Sequence, residues 1–315
     1  MEWEPDVSAG DWLRERVDDP WRGTIHDFVP RGFPAYARIL HPASVQSLPA
    51  GERLPAPEEW ATLPWDRIAS LSSRLRWDAV GWAEAAALRE VTWGPTTPWH
   101  ELIGRPWDAA GHDVLLDDGS WLNPPDQGRL DDDTMRALLP VIEAHTAAPA
   151  DAYAAVWEGW GGLVGSLGYT APSAALIGDA DPRHSAVMYT SLRDVFDRGF
   201  RKPVWRPGLL SDEISRGPRL VLPHRDHVLF RGPLRDITRA DVPWRETGDA
   251  VAATTPSIIW PRDRAWVVVT EVDADSTIVG GTAGLVAAIA STDGIEAVAL
   301  DEGAVLSGDA DGVGR

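Results

Sequence analysis

The sequence predicts an α+β protein with a mainly antiparallel sheet, helices packed on one face of the sheet and long proline-rich loops. Three observations predict this class. Short runs of β-branched and aromatic residues end at turn residues, as in Trp266–Val272. Other segments place apolar residues at helical spacing, as in Asp131–His145. Asp-Gly pairs such as Asp118-Gly119 mark tight turns.

The first 125 residues predict few regular elements. Phe33–His41 alternates two sets of side chains and is predicted as a strand that the following proline ends. A loop rich in Pro, Gly and Ser comes next. We then expect helices over Pro64–Leu75 and Trp77–Val91, the second because AEAAALRE consists of helix-favouring residues. Val114–Leu122 is predicted as a hairpin.

Asp131–His145 is predicted as a helix with aspartates at its N-terminus, although Pro140 implies a kink or a later start. A further helix is expected around Ala186–Phe196. Arg219–Leu234 predicts two short strands around a turn at His224–His227. The C-terminal elements are predicted in this order: a strand over Trp266–Val272, an acidic turn, a short strand over Thr277–Val279, a helix from Thr282 to about Ser291, a turn at Asp293-Gly294, and a strand over Ile295–Leu300.

Two segments of the chain resemble each other. Pro149–Glu158 (PADAYAAVWE) and Pro261–Glu271 (PRDRAWVVVTE) each contain a proline, an aspartate two residues later, an aromatic residue, a small or β-branched run and a final glutamate. The second is typical of a strand, so we predict that both are strands. We further expect them to lie in one sheet and to carry Glu158 and Glu271 to the same edge.

Composition limits the class of protein. A chain of 315 residues suggests two domains, here 1–125 and 126–315, or one continuous domain. The absence of cysteine excludes disulfides, thiolate metal sites and cysteine nucleophiles. The N-terminal residues lack the pattern of a secretory signal, and no apolar run approaches the roughly 18 residues of a membrane span. We therefore expect a cytoplasmic protein without a membrane partner.

The formal net charge of −19 bears on partners. An acidic surface repels phosphate backbones, so general nucleic-acid binding is not expected. The leading hypothesis is an acidic cytoplasmic binding protein, of inhibitor or immunity type, that engages a basic partner protein.

The most prominent candidate site is acidic. Glu271, Asp273 and Asp275 occupy every second position after an apolar run, so they would share one face if the strand continued. Adjacent carboxylates attract a hard cation, which makes all three candidate metal ligands. The alternative is a strand that leaves the core for solvent. If Glu158 joins them, Glu158, Glu271 and Asp273 become candidate catalytic residues of a carboxylate-based enzyme, with or without a metal. The sequence itself requires no cofactor.

Tryptophan suggests a third function. The chain has 17 Trp but 4 Tyr and 5 Phe, and Trp157 and Trp160 lie beside glycines in WEGWGG. Together with Trp266 and Asp275 they are candidate binding residues of a carbohydrate-binding protein. A strand end wedged under a loop explains the same motif without a ligand.

The HRDH segment spaces His224 and His227 as in some zinc sites, although Pro223 and the polar neighbours make an exposed turn the simpler interpretation. No G-x-S-x-G motif is present, which disfavours an α/β-hydrolase.

Three segments carry a resemblance to a known group of proteins: HTAAPADAYAAVWEGWG, LFRGPL and WPRDRAWVVVTEVDADSTIVGG. Over roughly the C-terminal two thirds, the chain resembles an uncharacterised protein family of high-G+C bacteria that has no assigned function. The resemblance implies no activity and no functional residue.

Overall fold

The computed structural model describes residues 1–49, 52–60, 62–109, 111–168, 204–245 and 255–306. The strands in these ranges are β1 (Glu2–Trp3), β2 (Ala35–Leu40), β3 (Ala43–Ser47), β4 (Arg76–Val80), β5 (Val114–Leu115), β6 (Trp121–Asn123), β7 (Ala152–Trp157), β8 (Ser166–Gly168), β9 (Val204–Arg206), β10 (Leu220–Val221), β11 (Asp226–Gly232), β12 (Ile258–Pro261), β13 (Val267–Val269), β14 (Ser276–Gly281) and β15 (Ala297–Leu300). The helices are α1 (Asp11–Arg14), α2 (Pro57–Trp60), α3 (Trp65–Ser72), α4 (Trp82–Leu88), α5 (Trp99–Leu102), α6 (Asp132–Glu143), α7 (Asp212–Arg216) and α8 (Ala283–Ala290).

Most of the strands form one large antiparallel sheet in the order β1-β11-β7-β12-β13-β14-β2-β15, with β10 also paired to β11. The two similar segments are β7 and β13, and both pair antiparallel with β12, which lies between them. They therefore run in the same direction, and their carboxyl ends lie at the same sheet edge. This confirms the prediction that both segments are strands of one sheet with their carboxyl ends at the same edge.

Each face of the large sheet is covered differently. Helices α6 and α8 pack on one face, over Ile39, Ile259 and Val268. The N-terminal arm, which includes α1, covers the other face and buries Trp12 against Trp260. The predicted α+β class with a mainly antiparallel sheet is therefore confirmed; α6 and α8 share one face of the large sheet, whereas the short α1 lies on the other.

Residues 43–123 contribute a second sheet in the order β4-β3-β6-β5. The predicted helix over Trp77–Val91 is wrong in its first part, because Arg76–Val80 is strand β4 and only Trp82–Leu88 is helical. The break lies at Gly81, where a side chain would collide with the Glu296 carboxylate. That carboxylate accepts the N–H groups of Trp82 (2.6 Å) and Ala83 (2.8 Å), and so fixes where α4 begins.

The remaining predictions have mixed outcomes. The helix over Asp131–His145 is confirmed as α6; it contains Pro140, and Asp131 caps it. The helix expected around Ala186–Phe196 lies outside the described residues. The division at residue 125 stays a prediction, although β1 and β2 belong to the large sheet. None of the helices in the described ranges is long and apolar enough to cross a membrane.

Candidate functional site

The candidate site is built around the turn between β13 and β14, which we call the acidic turn (Glu271–Asp275). Strand β13 ends at Val269, and the chain then closes a tight turn in which the Ala274 N–H donates to the carbonyl oxygen of Glu271 at 3.0 Å. The expected strand alternation therefore stops before the acids. As a result, the three carboxylates do not project from one face.

Glu271 and Asp273 share one arginine. The Arg225 Nε donates to Glu271 Oε1 at 3.1 Å, and its Nη2 donates to Asp273 Oδ2 at 2.7 Å. The Asp273 N–H also donates to Glu271 Oε2 at 2.6 Å. The Glu271 side chain is 12 % exposed, whereas that of Asp273 is 79 % exposed. Arg225 therefore contacts one largely buried acid and one acid at the protein surface.

Asp275 turns to the other side. Its Oδ1 accepts from Arg38 Nη2 at 3.1 Å, and Arg38 is fully buried between the two sheets. Burial lowers the pKa of Arg38, and the neighbouring Asp275 carboxylate opposes that shift. Within the described ranges, no three His, Cys, Asp or Glu side chains are placed to hold a metal ion. The expected grouping of the three acids as metal ligands thus does not form.

Glu158 lies at the same sheet edge but in a different ion pair. Its Oε2 accepts from Arg219 Nε at 2.8 Å. Glu158 follows the last residue of β7 and pairs with Arg219, whereas Glu271 and Asp273 pair with Arg225, whose guanidinium lies 5.2 Å from the centre of the Trp157 ring. Glu158 and Glu271 thus belong to different ion pairs, and the catalytic grouping of Glu158 with Glu271 and Asp273 stays a prediction.

A cleft lies beside the acidic turn, and we call it the strand-end cleft. Its main pocket has a volume of about 440 Å³ and runs between the N-terminal arm and the ends of β13 and β14. Apolar side chains form most of its wall: Trp21, Ile25, Phe28, Val29, Val269, Ile278 and Leu306. Asp27, Glu271 and Asp273 supply its charged groups.

The N-terminal arm is held over the sheet by its own hydrogen bonds. Asp27 is buried, and its two carboxylate oxygens accept the backbone N–H groups of Arg22 and Gly23, both at 2.8 Å. Trp21 packs edge-on against Phe28 and His224, with ring centroids 5.3 and 4.6 Å apart, and stays 52 % exposed. The cleft thus has an aromatic rim that is fixed in place yet open to solvent.

The HRDH segment borders the same cleft. A small cavity of about 30 Å³ adjoins the main pocket and is lined by His224, Arg225, His227 and Glu271 among others. His227 is not in an exposed turn: it lies in β11 and is 3 % exposed, and its Nδ1 has no hydrogen-bond partner. Burial lowers the pKa of His227 to about 4, so its imidazole is neutral at pH 7.

A second pocket of about 440 Å³ lies on the other side of the acidic turn. Asp273 and Asp275 line it together with His100, Trp107 and His112. Asp273 consequently lines both pockets, and it is the most exposed of the three acids of the acidic turn.

The tryptophans predicted to bind ligands are mostly occupied by packing. Trp266 is fully buried, and its Nε1 donates to the carbonyl oxygen of Ile142 at 2.9 Å, so its ring lies in the core beneath α6. Trp157 lies between the Arg225 guanidinium and Gly159, where a side chain would collide with the ring. Trp160 packs edge-on against Trp157 at 5.6 Å. This arrangement matches the alternative interpretation of a strand end wedged under a loop.

Sequence reasoning did not find the aromatic rim or Arg225. Arg225 lies inside HRDH, where the spacing of the two histidines matches some zinc sites, whereas no motif marks the arginine between them. Trp21 and Phe28 belong to an arm whose sequence is rich in Trp, Pro and acids. No pattern in that arm shows that it folds over the end of a strand roughly 250 residues away in the chain.

No protein-family model, curated protein or solved structure compared with the chain matches it. The resemblance to a group of bacterial proteins therefore stays a prediction, and we infer function from the geometry of the site.

Proposed function

We propose that this protein binds a basic partner protein, and that the strand-end cleft receives a positively charged side chain with an apolar stem. The supporting observation is the combination of charge and surface in the cleft. Asp27, Glu271 and Asp273 give three negative charges and Arg225 gives one positive charge, which leaves −2 in a pocket with mainly apolar walls.

Lysine and arginine side chains match such a pocket. Their aliphatic stems pack on apolar surface while the charged head reaches a carboxylate or the face of an aromatic ring. Trp21 offers a half-exposed indole at the rim, and Asp273 offers an exposed carboxylate beside it. The net charge of −19 adds long-range attraction for a basic protein.

The test is a titration of the full chain with arginine- and lysine-rich peptides that carry apolar residues, followed by calorimetry at several salt concentrations. We expect Asp273→Asn and Trp21→Ala each to weaken binding by about fivefold, which corresponds to about 1 kcal/mol. Affinity should also fall as salt rises, because the attraction is largely between exposed charges.

Asp241→Asn is the matched control. Asp241 is also an exposed aspartate, at 67 %, and it also accepts from an arginine at 2.7 Å, but it does not line the cleft. Equal losses in Asp241→Asn and Asp273→Asn would show that only total charge matters. The proposal would be overturned if the affinity changed neither with salt concentration nor in the Trp21→Ala variant.

A further inference from the structure

Strand β4 is an open edge of the smaller sheet. Among the strands that the structure describes it pairs only with β3, on one side, and it is the terminal strand in the order β4-β3-β6-β5. Apart from these ladder bonds, its backbone makes no hydrogen bond to the rest of the described chain. An unpaired edge of this kind presents N–H and C=O groups that can pair with another strand.

The side chains of β4 are unusual for an element in a sheet. Arg76, Trp77, Asp78 and Ala79 are all exposed, and Trp77 is 58 % exposed. Neither Arg76 nor Asp78 has an ion-pair partner among the residues that the structure describes. The edge therefore carries one large apolar ring between two unpaired opposite charges.

This pattern is complementary to itself. In an antiparallel pair of two β4 strands centred on Trp77, the residue numbers of opposite positions add up to a constant. Arg76 of each copy then faces Asp78 of the other, and the two Trp77 rings face each other. Directly opposite side chains lie on one face of a sheet and interact, and unlike charges in such positions are favourable. A twofold contact of this kind places the same patch of surface on both sides.

We propose that two copies of this chain associate through antiparallel pairing of their β4 strands, which joins the two smaller sheets across a twofold axis at Trp77. The partner is a second copy because a twofold axis brings each unpaired charge to its opposite without any other sequence. A strand of five residues gives a small interface, so the dimer is weak and forms at high protein concentration. This surface involves none of the cleft residues and is independent of the proposed function.

The test is sedimentation equilibrium of the full chain over a wide concentration range at physiological salt. We expect the wild type to dimerise, and Arg76→Asp or Asp78→Arg to weaken the dimer by about tenfold or more, since each places two pairs of like charges face to face. An equimolar mixture of the two variants should restore dimers, because the mixed pair has opposite charges at both positions. The double variant, with both changes in one chain, should also restore them.

Asp133→Arg serves as the control, because it changes the net charge by the same amount as Asp78→Arg on an exposed position of α6. It should leave association unchanged. A wild type that stays monomeric at the highest concentration would overturn the proposal. A mixture of the two single variants that remains monomeric while each is folded by circular dichroism would overturn it equally, and dimers that persist in both single variants would place the contact elsewhere.

Discussion

At the scale of single residues, burial decides which side chains carry charge near the strand-end cleft. His227 lies in β11 next to the carboxylates and arginine of the cleft, but it is shielded from solvent. Burial is the main cause of its low pKa of about 4, and the positive charge of Arg225 acts in the same direction. The imidazole therefore adds an uncharged wall to the cleft at neutral pH.

This low pKa predicts that acid destabilises the protein. The unfolded state binds a proton near the ordinary histidine pKa of about 6.5, whereas the folded state resists protonation until about pH 4. The part of the unfolding free energy that depends on neutral His227 is thus fully present above about pH 6.5, and it is lost as the pH falls towards 4. We expect His227 alone to cost about 2 kcal/mol of unfolding free energy between pH 7.5 and 5, measured by urea denaturation at both values.

His41 contributes in the same direction, because burial also lowers its pKa. His227→Gln separates the two residues, since it removes one titrating group. The variant should lose correspondingly less unfolding free energy on acidification than the wild type. An unchanged pH dependence in His227→Gln would show that His227 is not the group responsible.

At the scale of elements, the position of the acidic turn depends on the loop that precedes α6. Gly128 donates its N–H to the carbonyl oxygen of Ala274 at 2.9 Å and has a φ of +71°. A Cβ at this position would collide with the Val272 backbone. We expect Gly128→Ala to lower the free energy of unfolding by about 2–4 kcal/mol, because backbone strain and collision add.

Gly294→Ala is the matched comparison for thermal or urea unfolding. Gly294 has a similar φ of +83°, but no atom lies near its Cβ position. The free energy of unfolding of this variant should be lower than that of the wild type by about 1 kcal/mol, because only backbone strain is added. Equal losses of unfolding free energy at the two positions would mean that the close approach of Gly128 to the Val272 backbone adds no cost to a side chain there.

The elements also show what a sequence can predict. Strand β13 is evident from its valine run, and its likeness to the alanine-rich β7 predicted both strands and their shared edge. Strand β4 was missed because helix-favouring alanines follow it directly, and only Glu296, far away in the chain, ends the strand and starts α4. The acidic turn itself was predicted, but acids at every second position also suit an extended strand, so the sequence left open whether the three carboxylates share one face. Long-range contacts decide such cases.

At the scale of the whole molecule, buried polar contacts join the two sheets. Arg38 of β2 donates to the carbonyl oxygens of Pro95 (3.0 Å) and Thr97 (2.8 Å), and its guanidinium lies 4.8 Å from the Trp82 ring. Glu296 ties the start of α4 to the end of the large sheet. The smaller sheet is therefore attached to the larger one through groups that would be left unpaired if the sheets separated.

These contacts predict a single unfolding transition for the whole chain. Far-UV circular dichroism and tryptophan fluorescence should give coincident urea curves, since fully buried tryptophans lie in both parts, for example Trp82 and Trp260. Glu296→Ala removes a charged cap from α4 and should lower the unfolding free energy by about 1–2 kcal/mol. The transition should remain single in that variant, because the contacts of Arg38 persist. Two separate transitions in the wild type would contradict this coupling and would favour independent domains divided near residue 125.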